Sequence, residues 1–580
     1  MNDPNRAIRS AQPGAGGTFY ALSAGLGAAR FIVPAFAAAV AWMAQAAFGS
    51  DAASAPATGR SADPPGRPNI VFILCDDLGY GDVRCFNPAG KIATPSFDRL
   101  AAQGIRCTDA HSSSSVCTPT RYSLMTGRYS WRSRLQSGVL GGLSPLLIEE
   151  GRLTVAELLR RHGYHTTAIG KWHLGMGWAR RPGGDVNELA IETAAQHRSI
   201  DFAQPIRNGP MTVGFDRYFG ISASLDMVPY AFIENDRLTQ LPAADRSFPM
   251  MLGQLGKQTR PGPAAPEFEA MDVLPILGRR AVASIESRAA AARAGHPFFL
   301  YLPLNAPHTP ILPAPEWQGR AGLNPYADFV MQTDACIGQI LEALDRHGLA
   351  DQTLVIATSD NGCSPEANFA RLASAGHHPS AGFRGAKADI FEGGHRVPFV
   401  ARWPGRIPAG AYSPALLCLV DFMATCADLL GVPLPPNAGE DSVSFLPVLL
   451  GRGSAPGRPE LIHHSINGSF AIRQGRWKLA LCPDSGGWSA PRPGSAAARN
   501  LPATQLFDLD ADPGETNNLS AQQPAIVARM TALIERQVAD GRSTPGPTQT
   551  NAVRVQIRKG TGGGRLPARA AAGQAGPRPQ

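Results

Sequence analysis

Cys117 and Arg121 stand four residues apart in the run SSSSVCTPTRYSLMTGR. The Ser, Thr and Pro residues around the thiol favour side-chain-capped, non-helical backbone. Tyr122 to Gly127 holds mostly good helix formers, so the cysteine is expected at or just before a helix N-terminus, where free N–H groups suit an anion. A lone cysteine is usually a buried structural residue; other groups in this chain argue for more. Asp76 and Asp77 are adjacent carboxylates that repel each other unless a cation lies between them. Asp360 and Asn361 add a carboxylate and an amide. All four offer hard oxygen, which fits calcium or magnesium, whereas zinc would want imidazole or thiolate. Lys171 and His173, two apart, project to the same side of an extended backbone. His308 sits among prolines 307 and 310 in a rigid, non-helical loop suited to proton transfer.

Each of these polar groups follows an apolar run of strand length. Asn69–Cys75 precedes Asp76, Tyr164–Gly170 precedes Lys171, Pro297–Leu304 precedes the His308 loop, and Thr353–Thr358 leads to Asp360. Unbroken apolarity is the pattern of strands buried on both faces, as in a parallel sheet flanked by helices. Ligand sites in such sheets collect at strand carboxyl ends. Helices are expected at Thr94–Gly104 (capped by Thr94), Thr154–Gly163, Ala281–Ala294, Tyr326–His347 and Asp421–Leu430, the last opening on its aspartate. Val397–Trp403 reads as a further strand. Beyond Gly453 the texture changes. Phe470–Leu481 alternates around Gln474-Gly475 as an antiparallel hairpin, Gln505–Glu515 reads as strand and turn, and Pro524–Ala539 as an amphipathic helix.

CTPTR has the form C-x-P-x-R, and with GKWHLG at 170–175 and the stretch from Arg384 through Lys387 to EGGHRVP at 392–398 the chain resembles the formylglycine-dependent sulfatases, arylsulfatase-like and N-acetylgalactosamine-6-sulfatase-like members of the alkaline phosphatase superfamily. The resemblance spans roughly residues 66 to 540. It implies that a maturation enzyme oxidises Cys117 to formylglycine (3-oxoalanine), whose hydrate is the nucleophile. It also implies that calcium, or magnesium, is held by Asp76, Asp77, Asp360, Asn361 and the modified Cys117. Arg121, Lys171 and Lys387 would then supply positive charge, His308 would protonate the leaving oxygen, and His173 would act as base. Asp226 and Tyr230 fall where the family shapes its substrate pocket. The expected substrate is a small-molecule or glycan sulfate ester. Two alternatives stay open at this point: a phosphonate or phosphodiester hydrolase on the same scaffold, and a noncatalytic binder of sulfated glycans. The implied fold class is α/β, with a large mixed, mostly parallel central sheet flanked by helices and a smaller C-terminal antiparallel-sheet-plus-helix subdomain.

At 580 residues the chain can bury a large core, and 44% apolar with 17% charged residues is a globular composition. The net charge of +8 owes much to Arg542, Arg554, Arg558, Lys559, Arg565, Arg569 and Arg578, which meet no acidic residue after Gly541. With no recognised module or aromatic-basic platform, nucleic-acid binding is not expected. Nine cysteines without a C-x-x-C pair exclude zinc ribbons and leave disulfides open. Arg6, Arg9 and Arg30 precede the apolar run Phe31–Phe48, a pattern of a secretory leader rather than a lasting membrane span, so a periplasmic or secreted protein is expected. The predicted organisation is leader and linker (1–65), catalytic α/β domain (66–455), C-terminal α+β subdomain (456–540) and a basic, disordered tail (541–580).

Overall fold

Asn69–Cys75 (β1) is buried along its whole length, as its unbroken apolar run predicts. The structure, a computed structural model, describes residues 67–254, 256–452 and 457–559; the leader, the boundary near 455 and the last part of the tail lie outside them. After β1 come α1 (Pro95–Gln103), the short strands β2 (Ile105–Cys107) and β3 (Ala110–His111), α2 (Cys117–Thr126), α3 (Val155–Arg161) and β4 (His165–Lys171). The middle of the chain supplies β5 (Arg217–Ile221), the short strands β6 (Ile233–Glu234), β7 (Arg237–Leu238), β8 (Ala244–Arg246) and β9 (Gly262–Ala264), then α4 (Val273–Arg293) and β10 (Phe298–Pro303). Next follow α5 (Pro325–Arg346), β11 (Thr353–Ser359), the short helices α6 (Phe369–Ser374) and α7 (Glu392–His395), and β12 (Phe399–Arg402). β13 (Ala411–Ser413), β14 (Leu417–Cys418), α8 (Phe422–Leu430) and α9 (Leu446–Leu449) complete this part. The remainder is β15 (Glu460–His464), β16 (Phe470–Gln474), β17 (Trp477–Ala480), β18 (Gln505–Asp508) and α10 (Pro524–Ala539).

Ten strands form the central sheet in the order β13-β2-β12-β11-β1-β10-β4-β5-β6-β7. Its middle five, β11-β1-β10-β4-β5, are parallel, with antiparallel neighbours on both sides. Register places the strand ends together: Cys75 lies opposite Ser359, Leu74 opposite Pro303, and Tyr301 opposite Ala168. The polar segments after β1, β4, β10 and β11 therefore emerge along one edge. A second sheet, β15-β16-β17-β18, is wholly antiparallel. Its hairpin turns at Gly475-Arg476, and Gly475 takes the left-handed φ of 57° that the tight turn requires. Leu461, Ile472, Leu479 and Leu506 of this sheet share a core with Met530 and Ile534 of α10. This is the expected mixed, mostly parallel sheet with a small antiparallel companion.

Several details depart from expectation. α4 starts at Val273 rather than Ala281, because Pro275 falls in its first turn, where no N–H is missed. Thr94 does not cap α1 with its hydroxyl, which accepts from Arg84 N instead (2.9 Å). Asp421 precedes α8 yet turns its carboxylate to Cys418 N, Val443 N and Arg458. The stretch expected to be disordered from 541 is seated as far as Lys559. Asn551 accepts from Arg132 Nη1, Thr550 O from Arg128, and Val555 and Ile557 pack on the core under the second sheet. Low complexity there hid two apolar anchors. All nine cysteines are free thiols. Among the described residues no helix is long and apolar enough to cross a membrane.

Candidate active site

Cys117 is the first residue of α2, as the turn-to-helix pattern predicts, and is only 2% exposed. Burial pushes its thiol up from the ordinary value, against the pull of Lys171 and Lys387. A protonated, desolvated thiol is a weak nucleophile as it stands. Arg121, one turn further on, is wholly buried and donates from Nε (3.0 Å) and Nη2 (2.7 Å) to Asp360 Oδ2, and from Nη1 to Lys171 O (2.7 Å). Its Nη2 also stands 3.5 Å from Asp76 Oδ2. Helix α2 is thereby tied to the ends of β1, β4 and β11.

The oxygen groups converge as their strand ends do. Lys171 Nζ donates to Asp76 Oδ2, and Lys387 Nζ to Asp77 Oδ2 (2.7 Å). Asn361 Nδ2 donates to Asp77 Oδ1 (2.7 Å), and Asp77 N to Asp360 Oδ1 (3.3 Å). Burial works to raise the Asp76 carboxyl, but Lys171, His308, Arg121 and Lys387 outweigh it and hold the group ionised, well below the carboxylate range. Asp360 is pushed up to about 6 by burial and by its neighbour Asp76. Asp76 Oδ1 and Asn361 Oδ1 are buried without any partner. Unpaired buried oxygens cost free energy and call for a cation or a donor. The donor set is hard oxygen, so a divalent calcium or magnesium ion fits it.

Two histidines are presented in opposite ways. His173 Nε2 lies 2.9 Å from Leu140 O and so carries the proton, leaving Nδ1 buried with a free lone pair. Burial, Lys171 and Arg121 keep this ring well below its ordinary pKa, hence neutral. His308 Nδ1 lies 2.6 Å from Thr309 O, and its Nε2 faces Asp77 Oδ2 at 3.6 Å. Asp77 (φ 63°) and His173 (φ 55°) both occupy left-handed backbone, a strain that side chains bear where the surroundings force it.

Asp226 and Tyr230 lie beyond this cluster. Burial would raise the Asp226 carboxyl, but His308 and Arg260 hold it low, and Arg260 Nη1 donates to its Oδ2 (3.0 Å). The Tyr230 hydroxyl is committed to Thr259 Oγ1 (2.9 Å) and Arg260 O, so this residue braces Arg260. Three contributors were not legible in the sequence. Thr118 Oγ1 accepts from Leu140 N and so positions the carbonyl that orients His173. Tyr326 donates to Asp82 Oδ2 and to Asp77 O, bracing the strained aspartate from α5. Arg260 pairs with Asp226 across 34 residues. Thr118 occupies a variable position of C-x-P-x-R, and Tyr326 and Arg260 sit in no motif, so none carried a signal of its own.

A model of the family described as Sulfatase matches residues 68–432. The N-acetylgalactosamine-6-O-sulfatase of Bacteroides thetaiotaomicron is 33% identical over 509 residues, covering 81% of this chain and 93% of that protein. Human arylsulfatase A is 34% identical over 510 residues, covering 83% of this chain and 90% of that protein. A solved structure from work on glycosaminoglycan metabolism by Bacteroides thetaiotaomicron superposes with a TM-score of 0.69 at 31% identity, covering 81% of this chain and 99% of that one.

Proposed function

The chain belongs to the sulfatase family, whose members are sulfuric ester hydrolases, and from that premise we propose that it cleaves carbohydrate sulfate monoesters with a formylglycine made from Cys117. The cation site is assigned to Asp76, Asp77, Asp360, Asn361 and the modified Cys117, with calcium as the ion and magnesium second. When present, the ion supplies Lewis-acid polarisation and the oxidised side chain an oxygen nucleophile. The partnerless Asp76 Oδ1 and Asn361 Oδ1, set among three buried cations, are the observation that carries this reading.

A sulfate monoester spreads its negative charge over several oxygens. Arg121, Lys171 and Lys387 are fixed before the ester arrives, so stabilising that charge needs little reorganisation. The free lone pair of His173 Nδ1 is the proton acceptor that releases sulfate from the nucleophile. His308 Nε2 is the donor to the departing alcohol oxygen, with Lys387 beside it on Asp77. Asp360, clamped by Arg121, orients the attacking group. Asp226 and Arg260 are assigned to the alcohol side, where a sugar offers hydroxyls to a carboxylate; Tyr230 supports Arg260.

Carbohydrate sulfate is placed ahead of aryl sulfate because the N-acetylgalactosamine-6-O-sulfatase and the structure from work on glycosaminoglycan metabolism both point to sulfated sugars, while arylsulfatase A, at 34% identity, makes aryl sulfate the second reading. Export to the periplasm or medium, after maturation by a formylglycine-generating enzyme, follows from the leader-like N-terminus. Assaying N-acetylgalactosamine 6-sulfate, other monosulfated sugars, an aryl sulfate and an aryl phosphonate side by side tests the proposal. Preferred turnover of a sugar sulfate is expected; preferred turnover of the phosphonate would overturn it.

A further inference from the structure

Lys478 is buried in the second sheet, far in sequence from every group assigned above. Alternation along β16 and β17 turns Ala471, Arg473, Lys478 and Ala480 to one face, and Ala471 and Ala480 pack there against Ile390 and Phe391, just before α7. Lys478 Nζ stands 3.0 Å from Glu392 Oε1, 2.8 Å from Glu515 Oε1 and 3.0 Å from His395 Nε2. All four residues are fully buried. His395 Nδ1 lies 3.1 Å from His111 Nδ1, and His111 Nε2 lies 2.9 Å from Asp109, which also meets Arg396 (3.1 Å) and Arg473 (2.7 Å).

His111, Glu392, His395 and His463 have the composition of a metal site, and their ligand atoms lie within 4.8 Å of one another. Their orientation argues otherwise. The His395 and His463 rings are stacked at 3.6 Å and 17°, so their in-plane lone pairs run side by side and do not meet at one ion. The Lys478 ammonium already stands between Glu392 and Glu515. It is the cation that Glu392 and Glu515 share, while Arg396 Nη1 holds the other oxygen of Glu392 at 3.2 Å.

What the cluster holds is α7, a helix of four residues that cannot sustain itself. The carbonyls of α7 serve both halves of the active site. His395 O accepts from Ser112 N (2.8 Å), on the segment leading to Cys117, and Gly394 O accepts from Gly362 N (2.9 Å), next to Asn361. Fit is tight: a Cβ on Gly362 would lie 1.9 Å from Gly393 O, and one on Gly394 2.3 Å from Asp389 O.

We propose that Lys478 is a positioning residue for sulfate ester hydrolysis: through Glu392 and His395 it fixes α7, and α7 sets the spacing between the Cys117 segment and the Asp360–Asn361 loop. The kinetic consequence rests on the sulfatase reading; the structural one does not. Removing the ammonium takes away the cation that Glu392 Oε1 shares with the Glu515 carboxyl, leaving Arg396 Nη1 (3.2 Å) on Glu392 Oε2, and loosens the two segments that lean on α7.

The test compares Lys478→Met, Glu392→Gln and the double variant in the matured, full-length enzyme, by aryl sulfate kinetics and amide hydrogen exchange. In Lys478→Met, kcat is expected to fall at least about tenfold with KM held within about twofold, and the double variant should lose little more, because the two residues act as a unit. Exchange at Ser112 and Gly362, whose amides donate to α7 carbonyls, should quicken by about tenfold or more while β1 and β10 keep their protection. A kcat within about twofold of wild type, or equal loss of protection in β1, would overturn the proposal. If Lys478→Met does not fold, Glu392→Gln alone carries the same two criteria. Where the wild-type enzyme is inactive on aryl sulfate, the same kinetics are read on N-acetylgalactosamine 6-sulfate; inactivity on every sugar and aryl sulfate would count against the sulfatase reading, and the exchange pattern would still decide the role of Lys478.

Discussion

Arg121 donates from both Nε and Nη2 to one oxygen of Asp360, a residue 239 positions away, and neither side chain is exposed to solvent. The pair joins the helix that carries Cys117 to the strand that carries the proposed cation ligands. Breaking a buried pair by neutralising one partner leaves the other charge uncompensated, at a cost of about 3–5 kcal/mol. Asp360→Asn, nearly isosteric, is therefore expected to lower unfolding stability by that order and to abolish turnover. Urea unfolding with parallel activity assays checks this, and a fully stable, active variant would refute the coupling.

Chelation should act on activity and stability together. Asp76 Oδ1 and Asn361 Oδ1 have no protein partner, so a bound ion stabilises the folded state by mass action. Removing divalent ions should lower the thermal midpoint and inactivate the enzyme, and added calcium should restore both. An unchanged midpoint after exhaustive chelation would contradict the proposed site.

His308→Ala separates acid catalysis from charge stabilisation. An aryl sulfate with an acidic phenol leaves without help, whereas a sugar alcohol needs a proton. The variant should lose about 10²–10⁴-fold on a sugar sulfate and much less on an activated aryl sulfate. Equal losses on both would assign His308 to another role.

Acid should destabilise the protein through its buried histidines. His111, His173, His395 and His463 are held below the ordinary value by burial, and His464 is brought down to about 3. Such groups stay neutral in the folded chain but protonate near 6.5 when unfolded. Their contribution is intact above that pH and is lost as pH falls toward the folded values, at about 1.4 kcal/mol per pH unit for each. Carboxyls raised by burial work the opposite way: Glu515, up to about 7, and Asp360 and Asp334, each up to about 6, contribute at low pH and lose that contribution as pH rises through those values. They are outweighed, because the carboxyls of Asp76, Asp109, Asp441 and Glu392 are held low by their basic partners and lose their contribution on acidification as the five histidines do. Urea midpoints should hold steady from pH 8 to about 6.5 and fall below it; a flat profile to pH 5 would show that these rings do not remain neutral.

The sequence showed the parallel core well because both-face burial leaves unbroken apolar runs, and each such run ended in a polar group that now lies on one sheet edge. Cys117 at the start of α2 and the hairpin at Gly475 were legible for the same reason: local turn and cap chemistry decides them. Long-range partners were not. Nothing near Glu392 points to Lys478, 86 residues on, and nothing near Asp77 points to Tyr326. Val555 and Ile557 went unread because the alternation Val553-Arg554-Val555-Gln556-Ile557 is one short run in a basic stretch, and it forms no strand in the structure.

Formylglycine at position 117 is the claim on which the chemistry turns, and mass spectrometry of the tryptic peptide spanning residues 107–121 reports it directly. That peptide contains a second cysteine, Cys107, as an internal control. In enzyme co-produced with a formylglycine-generating enzyme, position 117 should carry an aldehyde and Cys107 a thiol, with activity proportional to the aldehyde fraction. A preparation that turns over sulfate esters with an intact thiol at 117 would contradict it.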